Sequence, residues 1–117
     1  MSYGITTTLD QPFEETLEAV RAALTAQGFG ILTEIDMAAT MKAKLDVEIA
    51  PQVILGACNP PLAHRALRAE ESIGLLLPCN VVVRAFAPGR TTVEALDPNV
   101  MVTVTGNGEL GPIAAQP

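Results

Sequence analysis

Along the first third of the chain the apolar positions change period twice. Tyr3, Ile5, Thr7 and Leu9 alternate with Gly4, Thr6 and Thr8, the two-residue repeat of a strand with β-branched enrichment. Phe13, Leu17, Val20 and Leu24 then recur at intervals of 4, 3 and 4, which places them on one stripe of a helix. Asp10 reads as the N-cap of that helix and Pro12 as part of its first turn. Glu14 and Glu15 stand where the helix dipole favours negative charge, and Gly28 is positioned to end it. Alternation resumes at Phe29, Ile31, Thr33 and Ile35, predicting a second strand.

Further on the elements are shorter. Asp36 is placed to cap a short helix carrying Met37, Met41 and Leu45, with Lys42 and Lys44 on its exposed side. Gln52–Ala57 reads as a buried strand bounded by Pro51 and by Asn59-Pro60. Leu62, Ala63, Ala66 and Leu67 fall on a helix that starts at Pro60 or Pro61 and ends near Glu71. Asn80–Phe86 and Thr91–Leu96 form a hairpin, with Pro88-Gly89 supplying the two central residues of a type II turn. Val100–Val102 reads as a turn of helix or an added strand. The expected order is β-α-β-(α)-β-α-β-β. That is an α+β fold, a two-layer sandwich with a mostly antiparallel sheet of about five strands and helices on one face. Residues 1–103 make the domain, and 104–117, rich in Gly and Pro, are expected to form a loosely ordered tail.

Composition narrows the function. The 117 residues carry 13 acidic and 7 basic side chains, a formal charge of -6. That balance speaks against a phosphate-tracking surface, because nucleic-acid affinity rests on Lys and Arg. Charged residues are only 17%, against about 25% in an average domain. So few charges leave apolar surface for a second subunit, and a homodimer is expected. Apolar runs such as Ile73–Leu77 fall far short of the roughly 20 residues that span a bilayer. Met1-Ser2-Tyr3-Gly4 has neither a basic n-region nor an apolar h-region, so a cytoplasmic location is expected, with Cys58 and Cys79 as free thiols.

Several strings occur together: Gly28-Phe29-Gly30-Ile31-Leu32-Thr33-Glu34-Ile35-Asp36, Lys44-Leu45, Gly56-Ala57-Cys58-Asn59-Pro60, and Ile73-Gly74-Leu75-Leu76-Leu77-Pro78-Cys79-Asn80-Val81. In these the chain, from about Tyr3 to Val102, resembles a family of small bacterial and archaeal proteins known as domain of unknown function 302. The resemblance implies a two-layer α/β sandwich and a tendency to homodimerise. It implies no activity. It also implies a closing charged amphipathic helix, in whose place this chain has Gly111-Pro112-Ile113.

The candidate chemistry gathers at Cys58. It closes a strand directly before Asn59, a good N-cap, and Pro60, a good first helical residue. A sulfur there would meet the positive end of a helix, which favours the thiolate. The bland alternative is a small apolar filler, since cysteine is among the most buried residue types. Cys79 begins a strand; if the two strand ends meet, the sulfurs form a redox pair by thiol–disulfide exchange. Cys58, Cys79 and His64 together would offer ligands to zinc or copper, although Cys-x5-His is no standard zinc spacing. His64 and Arg68, four apart on one helix face, would make an anion pocket with the amides near Asn59, joined by Lys44 if the short helix folds over that edge. A plain surface histidine is the alternative. No catalytic triad, Walker loop or dinucleotide glycine pattern occurs. Three readings follow: a non-enzymatic module binding a small ligand or protein near Cys58-Asn59-Pro60, a thiol redox or metal-binding protein using Cys58 and Cys79, and a purely structural dimerisation unit.

Overall fold

The structure, a computed structural model, describes residues 3–114. Strands β1 (Gly4–Leu9), β2 (Gly30–Asp36), β3 (Gln52–Cys58), β4 (Cys79–Ala87) and β5 (Arg90–Leu96) form one open sheet in the order β1-β5-β4-β3-β2. Every neighbouring pair is antiparallel. Helices α1 (Phe13–Ala26), α2 (Met37–Leu45), α3 (Pro60–Ala69), α4 (Asn99–Thr105) and α5 (Gly111–Ala114) fill the connections and the C-terminal segment. Short 3-10 segments occupy Glu71–Leu76 and Gly108–Leu110. The α+β class and the antiparallel sheet are as the pattern predicts.

The apolar stripe of α1 is what binds it to the sheet. Leu17 is buried with Val53 and Leu55 of β3 and Val81 and Val83 of β4, and Phe13, Val20 and Leu24 pack around them. Leu55 and Val83 are wholly enclosed, and burial of such a side chain contributes about 1.5–3 kcal/mol. Pro12, not Asp10, occupies the N-cap position of α1, and no side chain caps its first turn. Asp10 instead pairs with Arg90 at 3.0 Å. Gly28, just past the helix, has φ 86°, a conformation that a side chain would strain. Asp36 caps α2 as expected, its carboxylate accepting from the Ala39 N–H at 2.9 Å. Yet none of α2 is buried, so Met37, Met41 and Leu45 are not core residues.

Strand β2 departs from simple alternation. Ile31 pairs with Ala57 and Thr33 with Gly56, leaving Leu32 as a bulge. One extra residue moves every later side chain to the other face. Ile31 therefore packs on the α1 core, whereas Ile35 is exposed. At the β4–β5 turn Gly89 has φ 72°, as the third residue of a type II turn requires.

A second core lies among the later helices. Ala66, Ile73, Met101, Leu110 and Ile113 are buried together, with Leu62 and Ala69 packed on them. The segment expected to be a loose tail is therefore anchored through Ala114. The Asn107 side chain donates to the Ala69 carbonyl at 2.8 Å and to the Glu70 carboxylate at 3.0 Å, and Leu110 is fully enclosed. Within 104–114, Leu110, Ile113 and Ala114 are buried; 115–117 lie outside the described residues.

Candidate functional site

The second core reaches the ends of β3 and β4. These strands are antiparallel neighbours, so the last residue of one and the first of the next lie at the same end of the sheet. Ala57 stands opposite Cys79, and Cys58 follows it at the entrance to α3. Both cysteines are free and half-buried. They line one pocket of about 70 Å³ together with Phe29 and Ala57. Leu62, Ala63 and Ala66 of α3 form its second wall, and Pro98, Met101 and Ile113 close it from the C-terminal segment. For scale, an apolar cavity of about 150 Å³ accepts benzene. This pocket suits a guest of very few atoms.

Its electrostatics follow from the lining. No carboxylate, imidazole or amine faces the space. Burial pushes the Cys79 thiol above its ordinary value, and the neighbouring Cys58 adds to the push. Desolvation disfavours the charged form of a thiol and a second negative sulfur does the same, so Cys79 rests protonated and weakly nucleophilic.

Asn59 performs the capping role read from the sequence. Its side-chain oxygen accepts from the Leu62 N–H at 3.3 Å, and its carbonyl accepts from the Ala63 N–H at 2.9 Å. Pro60 and Pro61 have no N–H at all. The first turn of α3 consequently has no amide left to offer an anion, and the anion pocket expected there does not form.

The other candidates lie elsewhere. The inner stripe of α3 is Leu62, Ala66 and Ala69, so His64, two positions from Leu62 and from Ala66, turns outward. His64 and Arg68 are exposed and neither borders the thiol pocket. Lys44 is also exposed and borders a separate shallow groove with Glu34, Ile35 and Asp36. Asp36 pairs with Val53, whereas Gly30 pairs with Cys58 at the opposite end of β3. Cys58, Cys79 and His64 thus do not form the metal triad considered from sequence. Among the described residues no group of three or more His, Cys, Asp or Glu side chains is placed to hold an ion. Met101 was missed, for nothing in its local spacing ties it to residues 22 and more positions upstream.

The family model for domain of unknown function DUF302 matches residues 5–117. The chain belongs to this family. Among solved structures it is similar to the crystal structure of an uncharacterized conserved DUF302 protein from Bacillus stearothermophilus. The TM-score is 0.88 at 29% identity, over 98% of this chain and 89% of that one. No curated protein matches. Membership places the DUF302 fold on this chain and carries no activity with it. Among the described residues no helix is long and apolar enough to cross a membrane.

Proposed function

We propose that this DUF302 chain is a non-enzymatic binding module whose site is the two-thiol pocket at the ends of β3 and β4. The observation that carries this reading is the lining itself. Two cysteines from different strands line one largely apolar pocket, and no imidazole, carboxylate or amine stands beside them for general acid–base work. Xenon, a neutral and polarizable probe, tests it by NMR under pressure. Shifts concentrated on the amides of Ala57, Cys58, Leu62, Cys79 and Met101 are expected. Shifts spread evenly over the surface would sink the pocket as a site.

The same reading has the module acting as a homodimer in the cytoplasm. Exposed Leu32, Ile35, Leu45, Val47 and Ile49 support a second copy as partner, and the two free thiols suit a reducing compartment. Sedimentation velocity should show a dimer that Leu32→Glu weakens; a monomer at high micromolar concentration argues against it. A second reading is favoured by the closeness of the thiols. Oxidised glutathione would accept two electrons and two protons from Cys58 and Cys79, closing a disulfide between them. Intact mass after equilibration in glutathione buffers reads this as a loss of two hydrogens. Its absence at strongly oxidising ratios refutes the reading.

A further inference from the structure

We infer that the pocket is a site for the soft monovalent cation Cu(I), held by the Cys58 and Cys79 sulfurs and the Met101 thioether. This rests on the pocket being the chain's binding site. The chain has 2 cysteines and 4 methionines, and both cysteines with one methionine line this single space. Met101 is buried and comes from α4, while the cysteines come from β3 and β4. Three elements remote in sequence therefore contribute sulfur-bearing residues to the lining of one pocket. Thiolate and thioether donors select Cu(I) among biological metals. Zinc in a structural site calls for four N, S or O ligands, and the lining has no imidazole or carboxylate to complete that set. Cu(I) accepts two or three sulfurs.

Binding is an exchange without electron transfer: Cu(I) enters, two S–H bonds ionise, two Cu–thiolate bonds and one Cu–thioether bond form, and two protons leave. The bis-thiolate complex retains one negative charge. A raised thiol pKa at Cys79 is no bar, because a coordinating thiol is deprotonated outright by its metal. Without copper, the same burial keeps the site neutral and compatible with its apolar walls.

The test is an anaerobic titration of the reduced full chain with Cu(I), supplied as its acetonitrile complex, against a chromophoric Cu(I) chelator. One Cu(I) per chain and a thiolate-to-metal absorption band are expected. Cys58→Ser and Cys79→Ser should each lower affinity by more than roughly 100-fold, beyond the usual loss of an outer-shell partner. Met101→Leu, close to volume-conserving, should lower it roughly 10-fold with an unchanged circular dichroism spectrum. Failure of the wild-type chain to compete with the chelator overturns the proposal, independently of how any variant folds. So does half a copper per chain, which means an ion bridging two copies. An unaltered affinity in folded Met101→Leu overturns the three-sulfur site. If copper fails while xenon still marks the pocket, the metal assignment alone falls; if both fail, the pocket reading falls with it.

Discussion

Gly56 should be the least replaceable small residue in this fold. It lies in β3 between Thr33 of β2 and Asn80 of β4, one residue before the pair of Ala57 and Cys79. A Cβ added there would come within 2.1 Å of Thr33 Oγ1 and 2.8 Å of Pro78 Cγ. The threonine hydroxyl can rotate away. The proline ring cannot, and must move by more than half an ångström to reach the 3.4 Å of ordinary contact. Overpacking of this kind costs about 1–3 kcal/mol. The stiffer unfolded chain offsets about 0.4–1 kcal/mol when Gly becomes Ala. Gly56→Ala should therefore destabilise by about 1 kcal/mol, a fall in Tm of roughly 5 °C for a domain of this length.

Thermal unfolding followed by circular dichroism measures this directly. Placing Thr33→Ala in the same chain removes the nearer clash and should recover at least about 0.5 kcal/mol as coupling between the contacting sites. The part due to Pro78 should persist. Because Pro78 directly precedes Cys79, that push reaches the thiol pocket, and Cu(I) affinity should fall in parallel. A Tm equal to or above wild type for Gly56→Ala would refute the close approach of Thr33 and Pro78 over β3.

Leu110→Ala should cost about 2–5 kcal/mol, the range for a fully buried leucine, whereas a free tail would lose nothing; chemical denaturation distinguishes them. Asp36→Ala should remove about 1 kcal/mol of capping. Since α2 buries nothing, the loss should appear as faster hydrogen exchange in Met37–Leu45, with the α1 core unaltered. At alkaline pH the raised Cys79 value acts on stability. Below its ordinary 9.0 both states hold the proton and the contribution is complete; above it the unfolded chain ionises first, and stability is lost as pH rises through the folded value. Cys79→Ala should flatten that alkaline arm in urea melts taken between pH 8 and 10.5.

Much of the layout was legible because its causes are local. Phe13, Leu17, Val20 and Leu24 recur at helical spacing and do face the core, since helix geometry alone puts them on one side. Asp36 and Asn59 cap the helices that follow them, because the donating amide lies only three residues away. Pro88-Gly89 turns the hairpin for the same reason. Cys58 and Asn59, singled out by their place between a strand and a helix, line the pocket. The anion site failed there on a detail also present in the sequence: two successive prolines leave the first turn short of donors.

What the sequence determined by itself was the set of elements, their order and the antiparallel pairing their connections allow. Periodicity, caps and turn chemistry are decided within a few residues, so a linear reading contains them. The tertiary structure alone decided which of those elements share a cavity. The Leu32 bulge sent Ile31 inward and Ile35 outward, and Asn107 with Leu110 tied down a segment that has no repeat of its own. His64 was turned away from the thiols, and Met101 was brought to them. Each of these rests on contacts between residues far apart in the chain, where burial depends on what the partner surface leaves unfilled.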